Sequence, residues 1–237
     1  MNVQDASKKT SWQMFNRIAK TYDSVNRLLS FGLDVGWRKK VGQLLPSKKD
    51  LILLDLATGT ADQVLFLCKE HPDQIQKAVG MDLSEGMLSF GREKVKQQQL
   101  EDIISLKTGD AVNLPIETAQ FDAITISFGI RNVPDVPKAL CEMVRVLNPS
   151  GKALILEFSM PKNPIVRFGH LFYLRFVLPF VGGLISGDYE AYRYLNTSIE
   201  SFPYGESFAE LMYDAGFSKV HCHELSFGIA TIYEGIR

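Results

Sequence analysis

The chain has 237 residues, of which 46% are apolar and 22% charged, with a net charge of −1. This is ordinary globular composition, so disordered and fibrous classes drop out, and the length suits one large α/β domain carrying insertions. At pI ≈ 6.4 there is no bulk basic signal of the kind nucleic-acid binders show, and nucleic acid is not expected as a partner.

The N-terminus, MNVQDASKKTSWQ, lacks the apolar region of a secretory signal. Cys68, Cys141 and Cys222 are odd in number, far apart and set in apolar segments. They read as small core hydrophobes in a reducing compartment, which points to the cytoplasm. Residues 1–50 read as helical and amphipathic, with Trp12, Phe15, Ile18, Ala19 and Tyr22 spaced to share one face.

From Leu51 strands and helices alternate. LILLDLA is a continuous apolar run of the buried parallel kind, followed by Ala61, Val64, Leu65 and Cys68 at helical spacing. KAVGMDL is a second strand, leading to Ser84 as N-cap of a helix bearing Met87, Phe90 and Val95. IISLKTGDA is a third, ending near Asp110, and FDAITISFG a fourth. Val136, Leu140, Met143, Val144 and Leu147 form the next helical stripe; the turn NPSG then opens a fifth strand, KALILEFS. Such alternation predicts a doubly wound, mostly parallel sheet with its ligands at the C-terminal strand ends.

Residues 160–205 break the rhythm and read as an insertion over the site. Within it, Val166–Ile185 resembles a membrane segment, but Arg167, His170 and Arg175 interrupt it. Its longest uncharged piece falls short of the roughly 20 apolar residues of a spanning helix, so it is expected to be buried or interfacial. GESFAELMYDAGF restores a helix, and VHCHELSFGIATIYEGIR reads as two β runs hinged near Phe227 and Gly228. His221 and His223 share a strand face without a third ligand nearby, and no metal is assigned.

The loop ATGTAD after the first strand keeps one glycine, Gly59. Neither G-x-G-x-x-G nor G-x-x-x-x-G-K-[ST] is present. Its small residues still let backbone approach a ligand that carries no pyrophosphate. Asp82 ends strand two, where such folds hold ribose hydroxyls, and Asp110 ends strand three, where an acceptor meets an adenine amino group. Adenosine with a short amino-acid tail, as in S-adenosylmethionine, fits all three.

The segments YDSVNRLLSFGLDVGWR, DLATGTAD, GMDLSEGML, GDAVNLP, FDAITISFGIRNVPD, RVLNPSGKALILEFS, YRYLNTSIESFP and GIATIYEGIR span nearly the whole chain. Through them it resembles the ubiquinone/menaquinone biosynthesis C-methyltransferase family. It departs where the family writes A-G-G-T-G-D and this chain has Ala57-Thr58-Gly59-Thr60-Ala61-Asp62, and where the family has His-Arg in place of Asp34-Val35. The resemblance implies a seven-stranded sheet of the class I S-adenosylmethionine-dependent methyltransferase type in a single domain. An N-terminal helical lid (1–50) precedes the donor-binding core (51–159), a substrate-covering insertion (160–205) and the last helix and strands (206–237). It implies donor contacts from Thr60, Asp82, Asp110, Ala111 and Ser127, with Gly59 and Asp55 completing the set. It also implies a polyprenylated benzo- or naphthohydroquinone acceptor, faced by Arg131, Asn132 and Tyr22. A homodimer and a peripheral contact at the inner face of the membrane are left open.

In the mechanism these residues suggest, Arg131 acts as a fixed cation that favours the phenolate. A water held with Asn132 takes the proton, and Tyr22 and Asp23 orient the other hydroxyl or that water. Phe168, Phe172, Tyr173, Phe176 and Phe180 are expected to exclude water and receive the start of the prenyl tail. An amino-methylating enzyme would show Asn/Asp-Pro-Pro-aromatic where this chain reads SFGIRN. The competing readings are a small-molecule O-methyltransferase, a non-catalytic donor-binding scaffold of a quinone-making complex, and a nicotinamide oxidoreductase, which the missing fingerprint disfavours.

Overall fold

A computed structural model describes residues 10–237, so the expectation for the extreme N-terminus falls largely outside the described residues. Two helices come first, α1 (Ser11–Leu29) and α2 (Leu33–Gln43), joined by a tight turn in which Phe31 and Gly32 take left-handed backbone (φ 52° and 74°). Then follow β1 (Leu51–Leu56), α3 (Asp62–Glu70), β2 (Ile75–Asp82), α4 (Glu85–Gln97), β3 (Ile104–Thr108) and β4 (Phe121–Ser127). A 3-10 turn (Ile130–Asn132), α5 (Val136–Val146) and β5 (Leu147–Phe158) complete the first part. Ser84 caps α4 by accepting from the Met87 amide, and Asp135 caps α5 by accepting from that of Lys138.

The insertion is one long helical run, α6 (Pro164–Phe172), a π turn (Tyr173–Val177) and α7 (Leu178–Ser186), folded back onto α8 (Tyr189–Ser201). Next come α9 (Glu206–Asp214), β6 (Lys219–Leu225) and, after a 3-10 turn at Ser226–Gly228, β7 (Ala230–Ile236). The seven strands form one sheet in the order β3-β2-β1-β4-β5-β7-β6. β3, β2, β1, β4 and β5 run parallel, whereas β7 pairs antiparallel with both β5 and β6. The expected doubly wound, mostly parallel seven-stranded sheet is the observed one. β1 and β4 sit at its centre with apolar cores on both faces, which is why their sequences are unbroken apolar runs.

A third apolar cluster lies off the sheet. Ile18, Val25 and Leu29 of α1 pack with Leu174, Leu178, Tyr192 and Ile199 of the insertion. The N-terminal helix and the insertion therefore close over the strand ends as one layer.

Three local expectations change. The α5 stripe ends at Val146; Leu147 pairs with Phe121 and opens β5, and the NPSG turn is absorbed into the strand through a register shift with Ser150 at φ 64°. Only Cys68 is a core thiol, since Cys141 and Cys222 lie exposed on the outer side of α5 and on edge strand β6. The run Pro164–Ser186 is long and apolar enough to cross a membrane by length and composition, and most of it is not buried. Its inner side, however, is committed to the protein through His170, Leu174 and Leu178.

Candidate active site

The loop after β1 turns by placing Ala57, Gly59 and Ala61 in left-handed backbone (φ 47°, 56° and 67°). Only one of the three is glycine, so the two alanines each carry a steric cost of about 1–2 kcal/mol. The chain holds them there with buried hydrogen bonds. The Thr58 hydroxyl donates to Asp55 Oδ2 at 2.6 Å, and the Thr125 hydroxyl donates to Asp55 Oδ1 at 2.5 Å. Burial pushes the Asp55 carboxyl up to about 6, with both hydroxyls opposing the shift. The Gly59 amide donates to Asp82 Oδ2 at 2.9 Å, while Asp82 Oδ1 accepts from the Ser84 amide at 2.8 Å. The Asp82 carboxyl is likewise raised by burial.

Two cavities meet at this loop. The smaller, about 350 Å³, is bounded by Gly59, Asp82, Asp110, Ala111 and Ser127, with Trp12, Met81, Leu83 and Met87 supplying apolar walls. The larger, about 440 Å³, lies between the loop, α1, α2 and the insertion. Both are of a size that holds small organic ligands. Phe15, Tyr22, Ala57, Gly59, Ser127 and Phe128 border both cavities and form their junction. Phe128 is itself left-handed (φ 57°), with its amide tied to the Leu156 carbonyl. The two cavities thus open onto one another through a partly aromatic neck.

Most residues expected at the donor site gather around the smaller cavity. Asp55 and Thr60 border the larger one instead. Asp55 is the buttress behind the loop, and the Thr60 hydroxyl turns to α1, donating to Asp23 Oδ1 at 2.5 Å. Asp23 also pairs with Lys94, which reaches Asp62 as well, so this carboxylate fastens the lid to the core. Asn132 borders the smaller cavity and its Oδ1 accepts from the Tyr194 hydroxyl at 3.2 Å. Tyr22 stands at the neck, and burial raises its phenol, with Arg131 the strongest opposing influence.

The role expected for Arg131 changes. The residue is 2% exposed, and Nη1 donates to Glu157 Oε1 at 2.7 Å and to the Phe128 carbonyl at 2.6 Å. Its guanidinium carbon also lies 5.5 Å from the centre of the Phe158 ring. Burial raises the Glu157 carboxyl, and the Arg131 charge works against that rise. Paired in this way Arg131 is no longer an open cation; it braces the Phe128 neck.

The insertion also turns the other way from expectation. Tyr173 lines the larger cavity with His170, Leu174 and Leu178, and its hydroxyl donates to the Leu29 carbonyl at 2.6 Å. Phe168, Phe172, Phe176 and Phe180 do not line it. With Ile165 and Leu184 they form a stripe at spacings of three and four on the outer side, where Ile165 is 82% and Phe168 76% exposed. The inner side is taken by Leu174 and Leu178, which pack against the lid. Sequence reasoning missed Arg38, Gln63, His170, Tyr192 and Phe158 around the larger cavity, as well as Trp12 and Met87 at the smaller.

Comparison with known proteins shows the family and the fold. Residues 3–237 match the ubiE/COQ5 methyltransferase family. The chain is 44% identical over 224 residues to the demethylmenaquinone methyltransferase of Thermus thermophilus, covering 94% of this chain and all of that one. It is 42% identical over 222 residues to the ubiquinone/menaquinone biosynthesis C-methyltransferase UbiE of Geobacter sulfurreducens, covering 94% and 86% of the two. In three dimensions it is similar to a SAM-dependent methyltransferase from Aquifex aeolicus, with a TM-score of 0.61, 18% identity, and coverage of 84% and 88%.

Proposed function

The chain belongs to the ubiE/COQ5 methyltransferase family, and we propose that the ring it methylates is the naphthoquinol of demethylmenaquinol, as the name of its Thermus relative suggests. It is an S-adenosylmethionine-dependent C-methyltransferase of quinone biosynthesis. The observation that carries the assignment of sites is the pair of cavities sharing one partly aromatic neck. The donor takes the smaller cavity. Its ribose hydroxyls reach Asp82, its adenine lies between Leu83, Asp110 and Ala111, and its methionine carboxylate meets the loop at Gly59. The sulfonium then points past Ser127 and Tyr22 into the larger cavity, where the quinol ring lies.

A ring carbon attacks only when the adjacent oxygen is anionic, and a phenol ordinarily ionises near pH 10, so the site must favour the phenolate. Phenolate and sulfonium neutralise one another as the new bond forms, which favours the water-poor neck over bulk solvent. Arg131 braces the neck, and Tyr22, which borders both cavities, orients the ring oxygen beside it. The test is incubation of the protein with labelled donor and both demethylated quinols under reducing conditions. Label is expected in the naphthoquinol at a ring carbon. Label confined to the benzoquinol would overturn the choice of ring, and label in neither would overturn the reading as a whole.

The outward stripe bears on delivery of so lipophilic an acceptor. Patches of exposed apolar surface this continuous mark interaction sites. The stripe shares its helical run with the cavity wall, where Tyr173 packs on the exposed Phe31 of the α1–α2 turn, ring centres 5.8 Å apart. The occupant that fits is the surface of the bilayer that dissolves the quinol, with the run lying in the interface. Replacing Phe168, Phe172 and Phe176 together by serine is expected to weaken co-sedimentation with lipid vesicles by more than tenfold, since each buried phenylalanine contributes roughly 1.5–3 kcal/mol. Methylation of a vesicle-embedded quinol should fall with it, and that of a short-chain soluble quinol should not. Unchanged sedimentation of the triple variant would remove the membrane from this account.

A further inference from the structure

Six buried side-chain polar atoms among the described residues have no hydrogen-bond partner. Four of them, Arg38 Nε, Gln63 Nε2, His170 Nε2 and Tyr192 Oη, belong to residues lining the larger cavity. Buried polar groups are nearly always paired, so orphans gathered around one cavity mark groups whose partners arrive with a ligand.

Arg38 differs from the other three in carrying charge. A guanidinium holds five N–H donors, and the buried Nε of Arg38 has no hydrogen-bond partner among the described residues. Its counter-charge is Asp34, whose Oδ2 lies 3.6 Å from Nε, too far for a hydrogen bond. That carboxylate is already engaged, accepting from the Ser30 hydroxyl at 2.7 Å and pairing with Arg27 at 3.1 Å. Two cations share one anion, and the Arg38 contact with it is the longer of the two.

Of the other charges around the cavity, Arg131 is matched by Glu157, while Asp23 and Asp62 share Lys94. Asp55 is held by two threonine hydroxyls. Burial lowers the His170 imidazole, so it is neutral near pH 7, and burial raises the phenols of Tyr22, Tyr173, Tyr192 and Tyr194. Arg38 lines the larger cavity together with Tyr22 and Asp55.

Resting on the quinol reading above, we propose that Arg38 is a catalytic residue: its N–H groups donate to the ring oxygen next to the carbon that is methylated and hold that oxygen as a phenolate. The phenol proton leaves to water. The ring carbon then bonds to the methyl group as the carbon–sulfur bond breaks, and the electron pair of that bond stays on sulfur, which becomes a neutral thioether. Loss of the ring C–H proton to water restores aromaticity, and the oxygen regains a proton on release. One proton is liberated for each methyl transferred.

An opposite charge within about 4–6 Å lowers an acid's pKa by about 1–3 units, so removing this one should slow phenolate formation about 10- to 1,000-fold near neutral pH. The experiment is single-turnover methylation of a short-chain naphthoquinol against pH, at saturating donor, for wild type, Arg38→Met and Arg38→Lys. The expected result is that Arg38→Met is slow at neutral pH and recovers as pH rises by about that many units. Donor affinity by calorimetry should be unchanged, and Arg38→Lys should keep most of the rate. An Arg38→Met profile parallel to wild type at every pH, whether as fast or uniformly slower, overturns the proposal, as does lysine behaving like methionine. If Arg38→Met does not fold, Arg38→Gln is read by the same criteria. A wild-type protein inactive on every quinol would instead sink the underlying methylation reading, so the two failures are separable.

Discussion

Asp82→Ala is expected to weaken S-adenosylmethionine binding by about 100-fold or more, since hydrogen bonds to a charged group contribute about 1.5–3 kcal/mol each and a ribose offers two. The carboxylate also organises the apo loop: it accepts from the Gly59 amide at 2.9 Å and from the Ser84 amide at 2.8 Å. Alanine therefore removes the ribose contact and also leaves those two amides without their acceptor. Asp82→Asn separates the effects, because it keeps the volume and one acceptor oxygen while losing the charge. Calorimetric affinity should then fall in the order wild type, asparagine, alanine, while thermal unfolding without donor drops chiefly for alanine. Burial raises the Asp82 carboxyl, so donor affinity should decline on acidification as this group protonates. Alanine binding the donor within about threefold of wild type would contradict the contribution expected from two such bonds and remove the ribose contact.

The parts of this fold that were legible in the sequence are those set by local pattern. β1, β4 and the second half of β5 are buried on both faces and read as unbroken apolar runs, and Ser84 reads as a cap because the amide it accepts from lies three residues on. Asp82 and Asp110 could be placed at one cavity because the ends of parallel strands gather at one edge of the sheet. What stayed hidden depends on partners distant in sequence. That Arg131 is paired is decided by Glu157, 26 positions later, and that Arg38 meets Asp34 only at 3.6 Å goes with Asp34 being engaged by Arg27 and Ser30 as well. The apolar stripe at 165, 168, 172, 176, 180 and 184 has helical spacing, yet Leu174 and Leu178 make the opposite face equally apolar. Sequence periodicity cannot say which face meets the lid. Ala61 shows the same limit: its left-handed backbone comes from the loop's tertiary anchors, where a propensity argument alone would call for glycine.

Removing one member of the Arg131–Glu157 pair is expected to destabilise the protein by about 3–5 kcal/mol, because the partner is left charged and buried. For a chain of this size that corresponds to a fall of about 10 °C or more in the unfolding temperature. Glu157→Ala and Arg131→Met should each show it. The double variant Arg131→Met/Glu157→Leu should recover most of the loss, since apolar replacement of a buried pair is often neutral or stabilising. Recovery of stability does not imply recovery of turnover, and this difference is what isolates the role of Arg131. Its Nη1 is the donor that holds the Phe128 carbonyl, and Phe128 borders both cavities in a left-handed conformation that needs such an anchor. The double variant is therefore expected to fold and to bind donor within a few-fold of wild type, yet to transfer methyl groups at least about tenfold more slowly, because a displaced neck misaligns sulfonium and ring. Two results would break this chain of reasoning at different links. Single variants as stable as wild type would mean that the pair is not buried as described, and a double variant with wild-type turnover would mean that Arg131 serves stability alone.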